Sequence, residues 1–96
     1  MPAVTRLFDR DVPHCSGMVR FKASGNVFCN GLGISRQGDN NTSHLLPGGI
    51  VCPSHAVPIT TGSSTVFVNS VGCGRIGDAI TACTEVAEGS GNVFAG

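Results

Sequence analysis

The sequence predicts an all-β domain of short strands and tight turns, and three observations carry that reading. Fourteen Gly and five Pro are spread through the 96 residues, which leaves no room for a long helix. Apolar residues make up 41 %, much of it Val, Ile and Ala in short runs bounded by Gly, Asn and Ser. The chain also repeats itself, and repeated units of this size bury their apolar faces on one another.

Taken in order, the first unit opens at Arg6-Leu7-Phe8-Asp9, with His14 five residues past the Asp. The second is entered through Ser24-Gly25-Asn26-Val27-Phe28-Cys29-Asn30 and continues to Arg36-Gln37-Gly38-Asp39, with His44 five residues on. Val27-Phe28-Cys29 reads as a strand, and so do Ile50-Val51-Cys52 and Thr65-Val66-Phe67-Val68 further along. The third unit repeats the second at an offset of 39: Ser63-Ser64-Thr65-Val66-Phe67-Val68-Asn69, then Arg75-Ile76-Gly77-Asp78 and Cys83. Val86-Ala87-Glu88 is too short to argue for a helix. The chain closes on a partial copy, Gly89-Ser90-Gly91-Asn92-Val93-Phe94, which is the half that the first unit lacks. The array is therefore circularly shifted: three units, with the half missing at the start supplied at the end.

One domain of this size buries only part of its surface, so a metal, disulfides or a partner is expected to help hold it. Net charge is zero and 12 % of residues are charged, which argues against nucleic acid as the main partner. No apolar run reaches the ~18 residues of a membrane span. Arg6, Asp9, Arg10 and Asp11 stand where a signal peptide would be apolar. Five cysteines are an odd number without a dense framework, which fits a reducing compartment and a Cys used as a ligand.

A His, a His and a Cys at one fixed offset in three copies of one unit point to a single metal site on a pseudo-threefold axis. Structural zinc takes four ligands, mostly Cys and His. His14, His44 and Cys83 supply three. The segment after Asp39 is longer than its equivalents and carries His55, in Cys52-Pro53-Ser54-His55, as the fourth. Cys52 competes with His55 for that place, and Cys15 stands next to His14; thiolates bind zinc well. Cys29 aligns with Val68 and Cys73 with Ile34, so both read as core residues. The three Arg-x-x-Asp phrases read as structural: each Arg satisfies turn carbonyls or pairs with the Asp of a neighbouring unit. Gly38 and Gly77 allow positive φ at the turn, and Phe8 in the equivalent place breaks that rule.

The pattern G-S-x-x-V-F-V-N-G-x-x-x-R-x-G-D-x-x-x-x-(H/C) resembles the PAAR-repeat family over nearly the whole chain. Its members cap the trimeric spike of contractile injection machines, in phage tails and in bacterial type VI secretion. The resemblance implies a small β-rich cone with zinc near a sharp apex and a base docked on a trimeric β-helix, one tip per trimer. It also implies a His3Cys ligand set, which maps onto His14, His44, His55 and Cys83. The family's Pro-Ala-Ala before Arg is absent here: the chain has Ala3-Val4-Thr5-Arg6, Gly33-Ile34-Ser35-Arg36 and Gly72-Cys73-Gly74-Arg75. Secretion-system members often carry effector domains, so a bare chain of this length is closest to the spike tips of T4-type contractile phage tails.

The expected role is structural: a non-enzymatic virion protein at the tip of the baseplate central spike. It would be assembled in the host cytoplasm and make transient contact with the host outer membrane. The alternatives are a type VI spike tip or a free structural zinc module. A zinc hydrolase would keep an open ligand position and a nearby general base, and Glu85 and Glu88 follow no ligand-linked motif. A zinc ribbon for nucleic acid would want paired CxxC knuckles and a basic face.

Overall fold

The computed structural model describes residues 1–13, 17–42, 56–80 and 84–96. Among them the strands are two residues long and no helix occurs. Strand β1 (Phe28–Cys29) pairs antiparallel with β2 (Leu32–Gly33), β3 (Phe67–Val68) with β4 (Val71–Gly72), and β5 (Ala79–Ile80) with β6 (Thr84–Glu85). The strands expected around Val27-Phe28-Cys29 and Thr65–Val68 are present as β1 and β3. They are short because the chain changes partner as soon as each turn closes: Phe28 pairs Gly33, whereas Ile34 bridges Arg6. The expected strand Ile50-Val51-Cys52 lies outside the described residues.

The first two pairs close through two-residue turns, Asn30-Gly31 and Asn69-Ser70, with φ of 55°, 80°, 54° and 71°. Two successive left-handed residues give a turn whose twist matches that of the strands, and Asn and Gly tolerate the conformation best. Apart from β5 and β6, a third hairpin equivalent to these two is made from both ends of the chain. Phe94 bridges Ala3 as Phe28 pairs Gly33 and Phe67 pairs Gly72, and the Ala95 N–H donates to Pro2 O at 3.0 Å. The circular shift read from the sequence is thus a physical closure.

The units are stitched together through the residue before each Arg. Thr5 N–H donates to Gly74 O, Gly74 N–H to Ser35 O, and Ser35 N–H to Thr5 O, at 3.0, 3.0 and 3.1 Å. These three bonds form a closed ring of buried backbone. Around it run three matching bridges, Arg6 with Ile34, Arg36 with Cys73 and Arg75 with Val4. Glycine is required at one ring position, since a Cβ on Gly74 would lie 2.5 Å from Ser35 O.

Each Arg-x-x-Asp phrase is a turn held by its own carboxylate. Asp Oδ2 accepts the Arg backbone N–H at 2.8, 2.9 and 2.7 Å in the three units, and Oδ1 accepts Nη2 at 3.0, 3.1 and 2.8 Å. The expected partners are turn carbonyls or the Asp of a neighbouring unit. The chain instead folds back over three residues, Asp9, Asp39 and Asp78 each donating N–H to the carbonyl of its own Arg. The hydrogen bond to Asp, ahead of the opposing cost of burial, holds all three guanidinium groups above their ordinary pKa. The third turn position has φ of 73° at Phe8, 92° at Gly38 and 88° at Gly77. Phe8 keeps the glycine geometry at a cost of about 1–2 kcal/mol.

Two apolar clusters lie on either side of the ring in chain order. One combines Val4, Ile34 and Cys73, each just before a ring residue, with the hairpin residues Cys29, Val68 and Ala95. The other follows the ring and holds Ile59, Ile80 and Val86. Cys29 and Cys73 are free and buried, as the repeat alignment expects.

Candidate metal site and hairpin face

All four expected ligands lie outside the described residues: His14 in 14–16, His44 and His55 in 43–55, and Cys83 in 81–83. The alternatives Cys15 and Cys52 do as well. Among the described residues no three His, Cys, Asp or Glu side chains gather. Burial pushes the Cys73 thiol up from 9.0 to about 11, with Asp78 adding to the shift, so the protonated thiol that packs in the core is its stable form.

The stems that carry those segments are described, and they are bonded to one another. Val12 N–H donates to Glu85 O at 2.9 Å, and Thr84 Oγ1 to Val12 O at 2.7 Å. Thr42 N–H donates to Val19 O at 2.9 Å and Asn41 N–H to Val57 O at 3.1 Å. Thr60 N–H donates to Ala79 O at 2.8 Å. The described residues that flank the candidate ligands are thus hydrogen-bonded, pair by pair, to residues that flank other segments of the same group.

Beneath these stems the units stop resembling one another. The residue two past each Asp is Asp11, Asn41 or Ile80, all three fully buried. The residue whose N–H returns to the Asp carbonyl is Arg20, Ile59 or Val86, again all buried. The first unit thus holds an ion pair where the third holds Ile80 and Val86. Arg20 Nη1 lies 3.2 Å from each oxygen of Asp11, Nη2 donates to Asp39 O at 2.8 Å, and neither side chain is exposed. Asn41 Nδ2 donates to Asp11 Oδ2 at 3.1 Å, and its Oδ1 accepts the Val57 N–H at 2.9 Å. The sequence reading missed this cluster. Continuing the repeat alignment two residues past each Asp is the signal that finds it.

The hairpin side presents the opposite picture. Phe28, Phe67 and Phe94 occupy one repeat position and stay 59, 59 and 51 % exposed, with Val66 and Val93 beside them in sequence. Ser24 Oγ donates to Asn69 Oδ1 at 2.6 Å and Ser90 Oγ to Asn30 Oδ1 at 2.6 Å, while Ser63 Oγ donates to Gly96 O. Each serine reaches the turn residue of the next unit. A cleft of about 690 Å³ opens beside the first stem, with Arg10, Asp11 and Glu88 as its charged groups. Asp11 is committed to Arg20 and Asn41, and Glu88 accepts the Arg10 N–H at 3.0 Å.

In comparison with known proteins, no family model matches the chain and no curated protein does.

Proposed function

We propose that the chain is a structural spike tip: a pseudo-threefold, zinc-held cone that caps a trimeric β-helix and sharpens it for passage through an outer membrane. The observation that carries this reading is the closed ring of Thr5, Ser35 and Gly74 with its three matching bridges. One chain thereby presents three near-equal sectors, and such a surface suits a partner with threefold symmetry. The elongated form, 39 × 23 × 21 Å, supports a spike component. Three exposed phenylalanines at one repeat position supply the apolar contact such a cap needs, since exposed apolar patches mark interaction sites. That face favours a docked cap over a free zinc module.

His14, His44, His55 and Cys83 would hold the zinc, which would supply folding free energy to a domain too small to rest on its core alone. A tail spike is the machine this reading favours, with a type VI spike as the second host of the same cap.

The test is to mix the chain with a trimeric β-helical spike protein and weigh the complex by light scattering. One chain per trimer is the expected result; a 3:3 complex, or no complex, refutes the cap. Phe28→Asp with Phe67→Asp is expected to abolish docking while metal content stays at one zinc per chain by elemental analysis.

A further inference from the structure

We infer that one sector of the hairpin face is an open slot for a primary carboxamide, the end of an Asn or Gln side chain on the docked partner, with Arg75 Nη1 as donor and Thr65 Oγ1 as acceptor. The inference rests on the cap reading above and names the chemistry of one contact within it. Two of the three sectors are filled by the chain itself. Asn30 Oδ1 accepts from Arg6 Nη1 at 3.1 Å and from Ser90 Oγ at 2.6 Å, and its Nδ2 donates to Asn92 Oδ1 at 2.9 Å. Asn69 repeats the arrangement. Its Oδ1 accepts from Arg36 Nη1 at 2.9 Å and from Ser24 Oγ at 2.6 Å, and its Nδ2 donates to Asn26 Oδ1 at 2.8 Å.

In the third sector both asparagines are replaced together. By repeat alignment Gly96 stands where Asn30 and Asn69 stand, and Thr65 where Asn92 and Asn26 stand. The backbone around them is kept: Arg75 bridges Val4 as Arg6 bridges Ile34, and Phe94 bridges Ala3 as Phe28 pairs Gly33. Arg75 also keeps its bonds to Asp78, but its Nη1 has no hydrogen-bond partner among the described residues. Ser63 Oγ turns to Gly96 O instead, and Thr65 Oγ1 donates to the same oxygen at 3.1 Å. The place is roomy, since a Cβ on Gly96 would meet nothing closer than Thr65 Oγ1 at 3.7 Å. Thr65 and Gly96 are exposed, each two residues from an exposed phenylalanine, Phe67 or Phe94. Whatever covers those phenylalanines therefore also covers the slot. Charge selects the amide. Asp78 already pairs with Arg75, as Asp9 and Asp39 pair with Arg6 and Arg36, and the chain adds a neutral amide oxygen to the other two pairs. A carboxamide fits both edges, its oxygen accepting from the guanidinium and its NH2 donating to the threonine oxygen; a carboxylate has no such donor.

The test is titration against a trimeric β-helical spike protein, read as docking affinity. Gly96→Asn supplies the carboxamide from within. It is expected to raise the melting temperature of the free chain and to weaken docking about tenfold, the contribution of one hydrogen bond to a charged group. Asn30→Gly with Asn92→Thr opens a second slot at Arg6. It is expected to lower the melting temperature yet tighten docking about tenfold, because a trimer repeats its carboxamide. Affinity that follows melting temperature in both variants marks a merely structural role and overturns the inference. If the second variant does not fold, Gly96→Asn against the parent decides alone, and equal affinities overturn the slot. Replacing Asn and Gln at the blunt end of the trimer with Ala is expected to weaken the parent chain about tenfold and to leave Gly96→Asn unchanged. If only Asp or Glu replacements there reproduce the loss, the slot takes a carboxylate and the amide is overturned. A parent chain that forms no complex overturns the cap reading itself, a result distinct from equal affinities of two docked chains.

Discussion

On the hairpin side of the backbone ring, equivalent positions hold residues of one kind: Phe28, Phe67 and Phe94 on the surface, and Val4, Ile34 and Cys73 in the core. On the stem side, equivalent positions hold an ion pair, an Asn with an Ile, and two aliphatic residues. Some backbone hydrogen bonds recur in all three units on the stem side, among them the N–H of Arg20, Ile59 and Val86 returning to the Asp carbonyl, but the segments between differ in length as well as in side chains. Backbone pairing and turn chemistry build the repeat. Side chains are then free to differ wherever the three units have unlike tasks.

The largest effect is expected where that divergence is charged. Arg20→Met leaves the Asp11 carboxylate buried without its counter-ion, and it is expected to cost about 3–5 kcal/mol in a denaturant melt. Asp11→Leu with Arg20→Met makes the site apolar, as Ile80 and Val86 make it in the third unit, and is expected to return most of that loss. If the single and double variants melt alike, the stem side does not depend on charge pairing. Next comes the ring. Gly74→Ala drives a methyl to within 2.5 Å of Ser35 O and 2.9 Å of Thr5 Cγ2, and is expected to cost about 1–3 kcal/mol.

A gain of about 1 kcal/mol is expected from Phe8→Gly, which relieves left-handed strain at a residue 62 % exposed. No change in melting temperature there would show that the Phe8 side chain offsets its own strain. The smallest effect belongs to Cys73→Val, under about 1 kcal/mol at neutral pH because volume and burial are kept. The folded state favours the protonated thiol. The parent chain therefore loses stability as pH rises from 9.0 towards about 11, and the valine variant is expected not to share that loss.

Much of the repeat side was legible in the sequence, because glycines, asparagines and one strand motif recur at fixed offsets. Cys29 and Cys73 could be placed in the core by alignment alone. The self-pairing of each Arg with its Asp was less legible, since a spacing of three suits a partner in the same turn or in the next unit. The buried cluster was legible only in part, because the alignment two residues past each Asp sets Asp11 and Asn41 against the apolar Ile80 but does not bring in Arg20. Asp11, Arg20 and Asn41 are polar residues in a loop-rich chain, where solvation is the ordinary expectation, and only the ring brings them to one dry place. Phe8 showed the reverse. Its misfit at a glycine position was visible in the sequence, but only the structure shows that the backbone conformation prevails.

The third hairpin has no turn of its own. Ala95 and Pro2 are joined by a hydrogen bond, Gly96 O takes a serine hydroxyl as Asn30 and Asn69 do, and a Cβ on Gly96 would lie 3.8 Å from Met1 Sδ. Gly96 and Met1 therefore stand where Asn30 and Gly31 stand in the first hairpin. Residues from the two ends of the sequence thus share one hairpin, so that pairing is made without a covalent turn, and it is the one of the three that closes only when the rest of the array has already brought its two halves together.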